Sequence, residues 1–148
     1  MPLVVPAQSI SEQVLQLQAK ADKIAKTKPD SAFLLLEQAE VISSKESLKK
    51  VQAINQWLRA KTMYLQKNYD STQYYADLAI FQCNEVEDFP TLSSVHNLLG
   101  VLYKRQGRFN ESLSQYEQSM KFANISGSLG GDLNFKLIEN VPWGDRMR

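Results

Sequence analysis

This chain holds little of what catalysis draws on. It has one histidine, His96, and one cysteine, Cys83, in 148 residues. A nucleophile with its base, or a metal centre, needs several convergent titratable groups. No set of His, Cys, Asp and Glu stands at metal-ligand spacing, so no catalytic residue, metal ligand or cofactor is assigned and an enzyme is not expected. A single cysteine leaves no internal disulfide and does not distinguish a reducing compartment from an oxidising one. Glycine is scarce too, at six residues, and the stretch Gly127 to Gly131 lacks the Lys-Ser/Thr that follows a phosphate loop. Long apolar runs are missing: Met1 to Ala7 has no basic start and is broken by Pro6, so it is neither a complete signal peptide nor a membrane span. The expectation is a soluble chain of the cytoplasm or the periplasm, with no membrane insertion. Charge of one sign is also missing: 17 basic against 16 acidic residues give a formal +1, which is no electrostatic footprint for nucleic acid. Runs of β-branched residues and Gly-rich hairpin turns are absent, which argues against an all-β or alternating α/β chain.

What remains is a period. Pro29-Asp30-Ser31, Tyr69-Asp70-Ser71 and Phe109-Asn110-Glu111 each follow a helical stretch and open another, at intervals of forty residues. An apolar run at helical spacing follows each opener: Ala32, Leu35, Leu36 and Ala39; then Tyr75, Ala76, Ala79 and Ile80; then Leu113, Tyr116, Met120 and Ala123. Small residues recur where two helices would approach closely: Ala21 or Ala25, then Ala60, then Gly100. Such alternation suits stacked helical hairpins, because no hairpin buries its apolar face alone.

The third of these units resembles the tetratricopeptide repeat family. That signature runs W-x2-L-G-x2-Y, then A-x3-F, then P. Here His96 takes the Trp position, followed in register by Leu99, Gly100 and Tyr103. Ser112 and Tyr116 take the Ala and Phe positions, and Asn124 stands where Pro would be. The middle unit keeps the pattern loosely, with Arg59, Ala60 and Met63, then Thr72 and Ala76. The first keeps Ala32, Leu36 and Ala39, with a loop that reads one residue shorter. The resemblance covers roughly residues 10 to 126. The period exceeds the usual 34 residues and overlaps that of HEAT and armadillo repeats, from which the Leu-Gly-x-x-Tyr core and the Gly107/Phe109 turn separate it.

The resemblance implies an all-α fold: an α-solenoid of three helix-turn-helix repeats, about 9–44, 45–84 and 88–125, plus a C-terminal capping helix. Residues 1–8 form an N-terminal extension; 127–148 form a flexible break, a short helix and a tail. Seven helices are expected, over about 9–26, 29–43, 45–66, 70–84, 88–106, 110–124 and 132–140. Asp88 and Pro90 supply a cap and a first-turn proline, and Gly107 supplies the left-handed stop. The last helix reads either as a cap or as the first helix of a fourth repeat.

Function follows from that resemblance rather than from any catalytic motif. The family's first helices line a concave groove that holds a protein or an extended peptide. In register, that places Trp57, Lys61 and Tyr64 of the middle unit in the groove, with Asn97, Val101 and Lys104 of the third. Gln13, Gln16 and Lys20 are their counterparts in the first. Amides bond a peptide backbone, cations meet carboxylates, and aromatic rings supply anchor area. Against this stands a plainer reading, in which Trp57 and Tyr64 pack against neighbouring helices. His96 is read as structural, and Cys83 as a small buried side chain. The expected role is an interaction module of a larger regulatory or signalling protein. The alternative is a self-associating domain that pairs with a second copy through its solenoid ends or its groove.

Overall fold

In the computed structural model, which describes residues 7–127, all regular structure among the described residues is helical. The helices are α1 (Ala7–Ile24), α2 (Pro29–Lys45), α3 (Lys49–Leu65), α4 (Tyr69–Val86), α5 (Phe89–Arg105) and α6 (Phe109–Ser126). From Pro29 onward a new helix begins every twenty residues, so each hairpin of two repeats every forty. The expected seventh helix, over 132–140, and the tail after it lie outside the described residues.

Four helix ends set this rhythm, and they are built alike. Ser47, Lys67, Glu87 and Gly107 each take a left-handed conformation, with φ of 55°, 62°, 54° and 76°. After each, the next N–H turns back to the last full turn: Leu48 to Ser43 O, Asn68 to Met63 O, Asp88 to Cys83 O and Arg108 to Tyr103 O, all at 2.9 Å. This satisfies carbonyls that a helix end otherwise leaves bare and reverses the chain in two or three residues. It also explains why α3 starts at Lys49 rather than at Lys45. Ser47 breaks the helical path, and Glu46 to Leu48 form the turn. The α1–α2 link is the exception. Thr27 and Lys28 both donate to Ile24 O, at 3.2 and 2.7 Å, and the link of Ala25 to Lys28 is longer than the others, not shorter as the sequence suggested. At the start of α5, the Asp88 carboxylate accepts from the Thr91 N–H at 3.2 Å and from its hydroxyl at 2.8 Å.

The chain divides into two compact units, residues 1–78 and 79–148, with the boundary inside α4. In the first, Ala21, Ala25, Ala32, Leu36 and Leu58 form one apolar cluster and Val14, Ala39 and Val51 a second. Between α1, α2 and α3 runs a buried polar network. Gln18 Nε2 donates to Val51 O at 2.8 Å and to Asn55 Oδ1 at 3.3 Å. Asn55 Nδ2 donates to Leu36 O at 2.9 Å and to Glu40 Oε1 at 3.0 Å, and Gln56 Nε2 reaches the same oxygen at 3.0 Å. The Arg59 guanidinium completes the α2–α3 seam. It lies 5.4 Å from the Phe33 ring centre and 5.2 Å from that of Tyr75, and 4.0 Å from Glu40.

The second unit is an α5–α6 hairpin closed by serines. Ser93 Oγ donates to Ser119 O at 2.6 Å, and Ser119 Oγ donates back to Ser93 O at 2.8 Å. Ser112 Oγ donates to Gly100 O at 2.7 Å. Side chains this small let the two backbones come close. Gly100 then faces the Tyr116 ring so tightly that a Cβ there would lie 2.6 Å from a ring carbon. Thus Gly100, Ser112 and Tyr116, which the sequence set at three separate positions of one pattern, meet in space. Met120 departs from expectation. It was assigned to the apolar run of α6, yet it is 42% exposed, because the inward side of α6 is taken by Ser112, Tyr116, Ser119 and Ala123.

Candidate protein-binding surface

In the first unit α1 and α3 lie side by side. Lys61 Nζ sits 2.8 Å from Asp22 Oδ1, and Gln18 ties α1 to the start of α3 as described above. Neighbouring first helices are what the expected face requires. On α3, Trp57 is half-buried against the Ala21/Leu36/Leu58 cluster, with its remaining surface open. The Lys61 ammonium lies 5.9 Å from its ring centre. Tyr64 is also half-buried, and its ring meets that of Tyr69 at 5.7 Å. Both aromatic residues therefore combine packing with partial exposure. Lys61 is already engaged by Asp22, so its charge is partly met within the chain.

On α1 the predicted counterparts share a real concavity. Gln13, Gln16 and Lys20 rim an open pocket of about 350 Å³ whose apolar floor includes Leu17 and Ile42. That volume falls within the range of pockets that hold a ligand side chain or small ligand. Gln13, Gln16 and Lys20 recur at three- and four-residue intervals, which puts them on one helical stripe. Sequence reasoning missed the floor. Ile42 belongs to α2, and only the α1–α2 crossing brings it beneath that stripe.

The second unit places its three predicted residues differently. Val101 and Lys104 are half-buried, while Asn97 is only 4% exposed. The Asn97 amide oxygen is buried without a hydrogen-bond partner. Asn97 is thus part of the packed side of α5 rather than an open contact.

His96 stacks flat on Phe122, with centres 5.5 Å apart, and Phe122 stacks on Phe89 at 5.9 Å. Its Nδ1 lies 2.8 Å from Gln115 Oε1, a carbonyl that can only accept, so this hydrogen bond forms in the tautomer that carries the proton on Nδ1. Burial lowers the His96 pKa below its ordinary value, and the Gln115 hydrogen bond opposes that shift without cancelling it. The ring thus lies in an aromatic stack that joins α5 to α6. Cys83 is fully buried, and its thiol is pushed up to about 12, first by burial and then by the Asp88 carboxylate. Such a thiol stays protonated at neutral pH. Among the described residues, no group of three or more His, Cys, Asp or Glu is placed to hold a metal ion. No helix among them is long and apolar enough to cross a membrane.

Comparison of the chain with protein-family models, with curated proteins and with solved structures returned no match.

Proposed function

We propose that this chain is a tetratricopeptide-like helical repeat segment that binds a protein or an extended peptide on the exposed side of its first helices. The observation that carries the reading is the α1 pocket. Gln13, Gln16 and Lys20, placed in a groove on register alone, rim one concavity over Leu17 and Ile42. An apolar floor ringed by amides and one cation suits a peptide. A side chain fills the floor, the amides bond the backbone, and Lys20 meets a carboxylate. The open edge of the half-buried Trp57 on the adjacent helix adds anchor area of the kind that dominates binding energy. The forty-residue spacing of helix starts and the repeated left-handed turns support the repeat assignment. The balanced charge argues against a nucleic-acid role.

The test begins with selection of binders from a random peptide display library. Recovered peptides are then titrated by fluorescence anisotropy against the native chain and the Gln16→Ala/Lys20→Ala and Trp57→Ala variants. Circular dichroism melts establish that each variant is folded. Loss of about tenfold in affinity for a folded variant, roughly 1.4 kcal/mol, supports the reading. Peptides that bind all variants equally would move binding to another face. No enrichment at all, together with a concentration-dependent mass in sedimentation, would favour self-association.

A further inference from the structure

The outer side of α2 is an exposed stripe whose sequence is complementary to itself. Leu34 and Val41 are 60% and 67% exposed, and their spacing of two helical turns puts them on one side. Asp30, Glu37, Gln38 and Lys45 share that side, and all four are exposed. Asp30 accepts a hydrogen bond from Gln66 Nε2 at 2.5 Å, and this neutral donor leaves its charge in place. The stripe shares no residue with the α1 pocket. Forty residues on, Tyr74 and Phe81 of α4 are exposed as well, whereas the third repeat has Ser114 and Lys121 there. An exposed pair of large apolar side chains thus marks α2 and α4 and is replaced by polar residues in α6.

We propose that this side of α2 pairs with the same side of α2 in a second copy of this chain. The two helices run antiparallel about a two-fold axis that passes between Glu37 and Gln38. A two-fold interface requires that when one residue meets another, the second meets the first in return. The stripe has that property. The axis sets Leu34 opposite Val41 of the second copy, Asp30 opposite Lys45, and Glu37 opposite Gln38, each pair twice. Apolar side chains then cover each other, a carboxylate meets an ammonium at either end, and a Gln amide donates to a carboxylate at the centre. Parallel pairing lacks this match, because it sets Asp30, Glu37 and Lys45 each against its own equivalent, like charge on like. The same axis on α4 also lacks it. The residues equivalent to Asp30 and Lys45 are Asp70 and Glu85, so acid would face acid at both ends. A dimer formed on α2 uses neither the groove nor the solenoid ends, and it does not depend on any bound peptide.

Sedimentation equilibrium of the full chain tests the proposal, with circular dichroism melts establishing that each variant is folded. One helix pair makes a small interface, so the series runs into the hundreds of micromolar. The native mass should rise with concentration toward that of two chains. Leu34→Ser/Val41→Ser, altered only at exposed positions, should stay monomeric. Asp30→Lys and Lys45→Glu should each weaken the dimer by about tenfold, since each sets like charges together at both ends. Mixing these two variants restores opposite charges at both ends, so the mixture should dimerise about as well as the native chain. A native chain that stays monomeric overturns the proposal. A dimer that survives Leu34→Ser/Val41→Ser overturns it too, and places the interface on another face. So does a mixture that pairs no better than either charge variant alone, because the antiparallel register is then wrong.

Discussion

Adding one methyl group at Gly100 probes the tight contact between α5 and the Tyr116 ring of α6. Glycine in a helix interior costs about 0.8–1.0 kcal/mol relative to alanine, so on propensity alone Gly100→Ala should stabilise the chain. Packing opposes this. The new Cβ would stand 2.6, 2.8 and 2.9 Å from three carbons of the Tyr116 ring, where ordinary contact begins near 3.4 Å. Tyr116 is 1% exposed, so its ring is enclosed and cannot swing away cheaply. Retreat of α6 would stretch the Ser93–Ser119 and Ser112–Gly100 hydrogen bonds, which are 2.6–2.8 Å long. Overpacking of this kind costs about 1–3 kcal/mol, and contacts this short belong at the upper end. The propensity gain offsets part of that, leaving a net loss of about 2 kcal/mol.

Urea unfolding followed by circular dichroism measures the loss directly, and a second background makes the cause specific. In Tyr116→Leu the ring is gone, and Gly100→Ala should then be neutral or stabilising by up to about 1 kcal/mol. The chain already contains the paired arrangement. Forty residues earlier, position 60 is Ala and position 76, equivalent to Tyr116, is also Ala. If Gly100→Ala stabilises the native chain, or costs the same in both backgrounds, the ring contact is not what demands glycine.

Lys67→Gly should raise stability by about 0.5–1 kcal/mol in the same urea assay, since a lysine held at φ 62° pays a left-handed penalty that glycine avoids. Unchanged or lowered stability would mean that the Lys67 side chain holds the turn by contacts outweighing that strain. His96 gives the chain a pH dependence of known sign. Its folded pKa lies below the unfolded value near 6.5, so the unfolded chain binds the proton more readily. Stability is therefore fully present above about pH 6.5 and declines as the pH falls through that value toward the folded pKa. The His96→Gln variant should lose less stability than the native chain between about pH 7 and pH 5.5. Equal losses would show that His96 titrates alike in both states.

The sequence made the helices and their small-residue contacts legible for different reasons. Pro29, Tyr69 and Phe109 begin helices where the openers placed them, and Ala21, Ala32, Ala39, Ala60 and Ala76 are buried without exposure. Small apolar residues at helical spacing admit few alternatives once the period is known. The turns were harder to read. Only Gly107 announced itself, because glycine is the residue that adopts positive φ without cost. Ser47, Lys67 and Glu87 take the same conformation with residue types common anywhere on a surface. Their signal was positional: each lies a multiple of twenty residues before Gly107, and a search at half the hairpin period would have found them.

The α1 pocket shows where legibility ends. The stripe of Gln13, Gln16 and Lys20 follows from α1 alone, since one helix fixes which residues share its face. The floor does not follow, because Ile42 reaches it only through the crossing of two helices. Gln18, Asn55 and Glu40, which link α1 and α2 each to α3, form a polar network that helical periodicity treats as misplaced. Asn97 marks the same boundary. One helical phase placed it in a groove, whereas the packing of α5 leaves it 4% exposed. A shift of a single residue along a helix turns a side chain by about 100°, enough to exchange an open face for a closed one. Faces set by one helix can be read from sequence, while faces set by two helices require the angle between them. The polar network ties α1 to α3 and α2 to α3 through buried amides that periodicity alone does not place.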